Sequence, residues 1–135
     1  MHEGKRVIVQ SWLVKAQHDL AAAKRLSADP DPLLDTAVFH CQQAAEKVVK
    51  GFLVYRDTRF PKTHDIEELI TVASSLDTRL ATWRTVAKNL TPYATTFRYP
   101  GSMLSPSRTE FDQARQDAEG LYHFVLSLLP SEVHP

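Results

Sequence analysis

The stretch that decides the fold is LLDTAVFHCQQAAEKVVKGFLVY, which covers residues 33–55. Small and apolar residues recur in it every three or four positions, which is the spacing of one face of an α-helix. Glu46 stands four residues before Lys50, so an ion pair along the helix is expected to support it. The pattern predicts a long helix that packs on one side. That side is formed by Ala37, Cys41, Ala44, Ala45, Val48, Phe52 and Tyr55.

Apolar residues recur with the same spacing before and after this stretch. They predict a first helix from Val7 to about residue 27 and a short third helix that starts around Thr63 or Asp65. Asp65 and Glu68, three positions later, form a capping-box pattern. Asp77 is expected to cap a fourth helix. Pro92 predicts a kink or a restart within that helix, with Thr91 as the new cap, because proline lacks the N–H that a helix interior needs.

A fifth helix is expected after Ser107, since Glu110 three residues later repeats the capping-box pattern, and Pro130 closes it. Strand-type alternation is hard to find in the chain. The predicted fold class is therefore all-α, an antiparallel up-and-down four-helix bundle with the short third helix packed across one end. Trp12 and Trp83 are expected to be core anchors, and the chain past Pro130 is expected to be frayed.

Composition narrows the classes of function. The chain has 135 residues, of which 43% are hydrophobic and 24% charged, a balance that fits one domain over residues 1–135. Its 16 basic and 16 acidic residues cancel, so no bulk attraction to nucleic acid or to a membrane follows. Cys41 is the single cysteine, which excludes internal disulfides and fits a cytoplasmic location. No apolar run approaches the roughly 20 residues that span a bilayer.

Basic residues are unevenly distributed along the chain. Residues 79–98 hold four basic and no acidic side chains, and residues 46–62 hold five basic and two acidic ones. One explanation is that helix surfaces alternate in charge for solubility. The other is a phosphate-binding cleft, to which Tyr99 could add stacking of a base beside an arginine. The cations of such a cleft would be Arg56, Arg59, Lys62 and Arg98.

His64 is the candidate for proton transfer. It follows a proline-containing loop and stands five positions after Arg59. Histidine moves protons near neutral pH, and a guanidinium neutralises charge on a phosphate. The alternative is that His64 caps the third helix or buries one ring nitrogen against the backbone.

Two other features of the second helix are not expected to carry chemistry. A metal site is not expected, because His40 and Cys41 are adjacent on a helix and point about 100° apart. The polar face of the same helix is expected to be solvated. Its residues are Gln42, Gln43, Glu46, Lys47 and Lys50.

Several short motifs together resemble the HEPN domain family, the higher eukaryote and prokaryote nucleotide-binding domain. The resemblance covers the core of the chain, about residues 7–129. The Gln-Gln-Ala-Ala-Glu-Lys run at residues 42–47 is its most specific part. The other matching residues are Trp12, Ala16, Asp19 and Leu20, then residues 37–41 and Lys50, then Thr63-His64-Asp65, and last Arg98-Tyr99-Pro100.

This resemblance implies a homodimer that binds a nucleotide or RNA phosphate and needs no cofactor or metal. It also implies a minimal nucleotidyltransferase as partner, in a toxin–antitoxin-like system. The implied binding residues are Arg59, Lys62, His64, Arg98 and Tyr99.

The alternative implied by the resemblance is a metal-independent RNA endonuclease that acts as a toxin. Nucleases of the family use an arginine and a histidine with four to six residues between them, so Arg59 would hold the scissile phosphate and His64 would shuttle the proton. Phe60 departs from the polar residue that usually follows the nuclease arginine. Whether the chain is an enzyme stays open between the two hypotheses.

Overall fold

The fold is built from α-helices in the computed structural model, which describes residues 1–101 and 105–135. No residue within these two ranges belongs to a β-strand, so the all-α prediction is confirmed. Short 3-10 segments at Thr78–Trp83, Thr91–Ala94 and Ser131–Val133 accompany the last two helices. The α-helices are α1 (Glu3–Leu26), α2 (Leu34–Tyr55), α3 (Ile66–Leu76), α4 (Arg84–Leu90) and α5 (Arg108–Ser127).

Helix α2 is the centre of the bundle and contacts each of the other four α-helices. It runs antiparallel to α1, because the Leu33 N–H donates to the Leu26 carbonyl across the turn and Lys5 at the opposite end pairs with Asp57. Small residues let the two helices approach closely. A Cβ added to Gly51 would lie only 3.1 Å from Cβ of Trp12.

The predicted helix caps at the start of α3 and α5 are present. The carboxylate of Asp65 accepts a hydrogen bond from the Glu68 N–H at 3.2 Å. At α5 both halves of the capping box form, because Ser107 accepts from the Glu110 N–H and the Glu110 carboxylate accepts from the Ser107 N–H. Local sequence therefore sets where these two helices begin.

The fourth predicted helix is divided into three pieces. Asp77 does cap its start, but residues 78–83 form a 3-10 helix and α4 covers only residues 84–90. The prediction of Thr91 as the new cap at the restart is wrong. Its hydroxyl donates to the Ala87 carbonyl at 2.7 Å and accepts from the Ile66 N–H at 3.1 Å, so it ties the start of α3 to the end of α4.

The C-terminal tail is packed rather than frayed, which corrects the prediction for it. Val133 is fully buried in the core. The Nε2 atom of His134 lies 2.9 and 3.1 Å from the carbonyl oxygens of Leu126 and Leu129. The Gln10 amide of α1 donates to the His134 carbonyl at 3.1 Å. The tail therefore closes the end of the bundle between α1 and α5.

Both tryptophans lie at the rim of the core and are only half-buried, which differs from the prediction of core anchors. Trp83 packs on Phe124 with ring centroids 5.4 Å apart. Within the part of the chain that the structure describes, no helix is both long enough and apolar enough to cross a bilayer.

Candidate functional site

His64 is an exposed histidine whose ring is hydrogen-bonded to a buried carboxylate. Its Nδ1 atom lies 2.8 Å from Oε1 of Glu46; the His64 side chain is 72% exposed and that of Glu46 only 5% exposed. Because an ionised carboxylate can only accept, Nδ1 carries a proton, and in the neutral ring Nε2 then has the lone pair. Nε2 is therefore the ring nitrogen available to a ligand. His64 does not cap α3, since Asp65 does so.

Glu46 belongs to a buried polar row on α2. Nζ of Lys50 lies 3.0 Å from its Oε2, and the Gln42 amide donates to both Oε1 of Glu46 and the His64 carbonyl. The sequence places these residues on one helix face at spacings of four and predicts that the face is solvated. This prediction is wrong for Gln42, Glu46 and Lys50, which are all buried.

The Glu46 carboxyl stays ionised inside this row. Burial by itself raises its pKa, but the hydrogen bonds from His64, Lys50 and Gln42, together with the charge on Lys50, outweigh burial and lower the pKa below the ordinary value of 4.5. A charged Glu46 holds the His64 ring in one orientation and one tautomer. Glu46 is thus suited to orient a histidine that accepts a proton at Nε2.

Arg59 and Lys62 lie in the loop that leads from the C-terminal end of α2 to His64. Phe60 packs its ring on the Lys50 ammonium, 5.9 Å from the ring centroid. Phe60 thus anchors the loop to α2. Arg59 and Lys62 are exposed and make no hydrogen bond or ion pair with any residue that the structure describes.

Arg98, which follows the 3-10 segment Thr91–Ala94, packs against the N-terminal half of α2. Its guanidinium carbon is 4.2 Å from the ring centroid of Phe39, a cation–π distance, and 5.6 Å from that of Tyr99. One of its N–H groups donates to the Ala94 carbonyl at 3.0 Å. Tyr99 is exposed. Arg98 is therefore fixed in place, while most of its N–H donors make no hydrogen bond to the residues that the structure describes.

The positions of His64 and Arg98 are related through α2. Their contact residues on that helix, Glu46 and Phe39, are seven residues apart, which is almost two full turns, so both lie on the same side of the helix. At a rise of 1.5 Å per residue the two contacts are about 10 Å apart along the axis. The cavity that Arg98 lines includes none of Arg59, Lys62 and His64. The residues of the predicted cleft instead follow one another along α2, and we call this line the α2 face: Arg98 on Phe39, then His64 on Glu46, then the loop with Arg59 and Lys62.

A second carboxylate–histidine pair, which the sequence did not suggest, joins α1 to α2. Nδ1 of His40 lies 2.8 Å from Oδ1 of Asp19, and Nζ of Lys47 lies 2.7 Å from Oδ2 of the same carboxylate. His40 and Lys47 are seven residues apart on α2, so they lie on the same side of the helix. This spacing is the sequence signal that could have suggested a shared partner. Asp19 is buried.

Nowhere in residues 1–101 and 105–135 do three His, Cys, Asp or Glu side chains lie close enough together to hold an ion. The Nδ1 atom of His40 is hydrogen-bonded to Asp19. The ring is therefore held in one orientation, and it acts as a hydrogen-bonding group.

The chain is similar to known proteins over most of its length. A sequence model of the HEPN domain matches residues 9–128. The crystal structure of TT1696 from Thermus thermophilus is 26% identical with a TM-score of 0.75, and the match covers 90% of this chain and 98% of that chain. The crystal structure of ST0689, an archaeal HEPN homologue, is 25% identical with a TM-score of 0.68, and covers 89% and 96%. No curated protein matches the chain. Because the domain match spans well over half of the sequence, the chain belongs to the HEPN domain family.

Proposed function

We propose that this HEPN domain binds the phosphate groups of RNA or of a nucleotide along the α2 face. The observation that carries the proposal is that His64 and Arg98 lie on one side of α2. Each contacts a residue of that helix: His64 bonds to Glu46, and Arg98 packs on the ring of Phe39. Arginine binds phosphate through parallel N–H donors, and an oriented histidine ring adds a further N–H donor when its Nε2 has taken up a proton. Arg59 and Lys62 extend the line at one end, and Tyr99 supplies an exposed ring for stacking at the other.

Electrostatics support a local site rather than a generally basic protein. The formal charge of the chain is zero, so attraction to phosphate has to come from a patch. The carboxylate in contact with His64 is that of Glu46, whose charge is compensated by Lys50 in a buried ion pair. The exposed charged groups of the α2 face are therefore those of Arg59, Lys62 and Arg98, which are all cationic.

The proposal extends to partners and location. We place the domain in the cytoplasm as a homodimer and as the partner of a minimal nucleotidyltransferase, in a toxin–antitoxin-like pair. The support is the resemblance of the motifs at residues 42–47, 63–65 and 98–100 to HEPN domains of that type. Light scattering on the purified chain tests the dimer, and a monomer at micromolar concentration would contradict it. Co-expression with a nucleotidyltransferase encoded beside it tests the pairing.

RNA binding is tested with a labelled single-stranded RNA, by fluorescence anisotropy at two salt concentrations. His64→Asn keeps a nitrogen at the position of Nδ1 for Glu46 but removes Nε2, and Arg98→Gln removes the charge. We expect each to weaken binding about tenfold, because a hydrogen bond to a charged group contributes about 1.5–3 kcal/mol. Arg79→Gln, beyond the far end of α3, is the matched control. Equal affinity of all four proteins would refute a phosphate site on the α2 face.

A second function, metal-independent RNA cleavage, is favoured by one specific feature. The exposed Nε2 of His64, with Nδ1 bound to a buried carboxylate, is the arrangement of a general base. Nε2 would take the proton from a ribose 2′-hydroxyl as that oxygen attacks the adjacent phosphorus. The bond to the 5′-oxygen breaks, that oxygen takes a proton from water, and a 2′,3′-cyclic phosphate remains, while His64 later returns its proton to solvent. Arg59, five residues away, would neutralise charge on the phosphate.

The cleavage hypothesis is tested with structured RNA in EDTA. Cleavage to cyclic phosphate ends is expected from the wild-type protein, with a loss of at least about 100-fold in His64→Asn, the range of a lost general base. Arg59→Gln should lose a similar factor, and Arg79→Gln should cleave normally. If the RNA stays intact with the wild-type protein but still binds, the binding function stands alone.

A further inference from the structure

A cavity of about 570 Å³ lies between α4 and the N-terminal half of α5. The two helices run antiparallel there. Trp83, just before α4, packs against Gly120, where an added Cβ would lie 3.1 Å from the indole ring. Tyr93, just after α4, lines the cavity together with Glu110 near the start of α5. Ligand pockets occupy about 300–1,000 Å³, so the cavity has room for a small organic molecule.

The floor of the cavity is apolar. Leu90 is fully buried and Ala114 is nearly so, and both belong to the lining. The ring of Pro92 and the half-buried ring of Tyr93 complete this part of the wall. A ligand with an apolar body would remove this surface from water, so the hydrophobic effect favours its binding.

The carboxylates of the cavity are oriented and retain acceptor capacity. Glu110 accepts from the Ser107 N–H through Oε1 at 3.1 Å, and its Oε2 makes no hydrogen bond to a described residue. Asp117 accepts from the Gln113 amide through Oδ1 at 2.8 Å, and its Oδ2 is likewise without a described donor. Each carboxylate is therefore held by one oxygen, while the other can accept from a ligand.

Tyr93 senses both carboxylates. Its pKa is raised above the ordinary value by burial first and then by nearby negative charge, of which Glu110 contributes the most and Asp117 a smaller part. The phenol therefore stays protonated at neutral pH. Its oxygen can still accept a hydrogen bond, and no described residue bonds to it. Tyr93 and Glu110 thus offer two acceptors at the same end of the cavity.

The charge of the cavity favours a cation. Lys88 is the basic residue of the lining, and it offsets one of the two carboxylates. Because α4 and α5 are antiparallel, Lys88 lies toward Asp117, whereas Tyr93 lies toward Glu110. Glu110 and Asp117 are seven residues apart, about 10 Å along α5, so one small group contacts only one of them. The uncompensated negative charge is therefore that of Glu110, beside the Tyr93 hydroxyl.

We propose that this cavity binds a small organic cation, a primary amine with an apolar body. The ammonium group donates to Oε2 of Glu110 and to the Tyr93 hydroxyl oxygen, and the body covers Leu90 and Ala114. A charge-assisted hydrogen bond is about twice as strong as a neutral one, so an alcohol of the same shape binds less tightly. A carboxylate of the same shape is repelled by Glu110.

The inference goes beyond the proposed function and does not rest on it. No residue of the α2 face lines this cavity. Binding of RNA at the α2 face and binding of an amine here can therefore fail independently of each other.

The experiment titrates the wild-type protein, labelled with ¹⁵N, with 2-phenylethylamine, and in parallel with 2-phenylethanol and 3-phenylpropionate. We expect millimolar amine to give saturable NMR shifts of the Leu90 and Ala114 amides. The alcohol has the same ring without the charge and should bind at least about tenfold more weakly. The carboxylate should give no saturable shift of these amides.

Variants locate the ammonium group. Glu110→Gln removes the charge and keeps the helix cap, because glutamine also completes a capping box, and it should weaken binding of the amine about tenfold. Tyr93→Phe retains the ring and should weaken binding about fivefold, the effect of one neutral hydrogen bond. Asp112→Asn, at an exposed position of α5 outside the cavity, is the matched control and should bind as the wild type does.

Each failure has its own meaning. Absence of saturable shifts with the amine would overturn the cavity as a ligand site. Equal affinity for the amine and the alcohol would overturn the cation assignment. Equal losses in Glu110→Gln and Asp112→Asn would mean that the general charge of α5 attracts the amine, and this would overturn the contact with Glu110. Because the titration reads wild-type amides, the first two results do not depend on the folding of a variant.

Discussion

Nδ1 of His64 lies 2.8 Å from Oε1 of Glu46, although the two residues are 18 positions apart and come from the loop before α3 and from α2. The contact fastens the loop to the central helix. It also joins an exposed imidazole to a carboxylate inside the bundle, which lies in an ion pair with Lys50. Stability and site geometry therefore depend on the same group, and a change at Glu46 affects both.

Glu46→Gln is expected to lower the free energy of unfolding by about 3 kcal/mol, because it leaves the buried Lys50 without its counter-ion. Urea unfolding followed by circular dichroism measures the change. Glu67→Gln on the exposed side of α3 is the control, with a change within about 0.5 kcal/mol. Adding Lys50→Met to Glu46→Gln should recover part of the loss. A loss below about 1 kcal/mol in Glu46→Gln would contradict a buried ion pair.

The pH dependence of stability follows from the same carboxyl. Folding lowers the pKa of Glu46 below 4.5, so its contribution is fully present above that value and is lost as the pH falls through the lower folded pKa. The free energy of unfolding should decrease on acidification from about pH 5 to pH 3. Glu46→Gln should show a shallower decrease over this range. Identical slopes in both proteins would mean that Glu46 has the same pKa folded and unfolded.

Cys41 is expected to be unreactive in the folded protein. It is fully buried, and burial raises the pKa of its thiol to about 12, so almost no thiolate forms at neutral pH. A thiol reagent such as DTNB at pH 8 should label it only after unfolding in urea. A cysteine introduced by Ser75→Cys, at an exposed site on α3, should react at once in the same sample. Fast labelling of native wild-type protein would place Cys41 at a surface.

The helices that could be predicted are those with local signals. Ser107 with Glu110 and Asp65 with Glu68 mark the starts of α5 and α3, because a cap is formed by residues three positions apart. The division of the fourth helix was only partly predictable. Pro92 predicts an interruption of the helix. Thr91, however, accepts a hydrogen bond from the distant Ile66 N–H, and no local sequence pattern predicts that contact.

The site was predictable to a smaller extent. His64 was identified from its loop and Arg98 from the uneven distribution of basic residues, yet the polar row of Gln42, Glu46 and Lys50 was expected in water. Spacings of four show that these residues share a face, but they do not show whether another part of the chain covers it. The His64 loop covers it here. Burial of a polar face is a tertiary property, so sequence spacing alone could not reveal it.

Val133→Ala tests the packed tail. The Val133 side chain is fully buried, although it lies in the 3-10 segment that follows α5 near the C-terminus. Removing its two methyl groups should therefore lower the free energy of unfolding by about 2 kcal/mol. Thermal or urea unfolding measures the loss. Glu132→Ala, at the exposed neighbouring position, should change stability by less than about 0.5 kcal/mol. If both variants behave alike, the tail does not pack in solution.

Thr91→Val should loosen the start of α3 and with it the loop that presents His64. The hydroxyl of Thr91 accepts the N–H of Ile66 at 3.1 Å, and Ile66 is fully buried, so an isosteric valine leaves that donor unpaired. An unpaired buried donor costs about 1–3 kcal/mol. Hydrogen exchange by NMR should show the Ile66 amide exchanging about tenfold faster or more, the rate change that this cost predicts. Thr91→Ser retains the hydroxyl and should protect the amide as the wild type does. Equal exchange in the valine and serine variants would mean that water, and not Thr91, satisfies the Ile66 N–H.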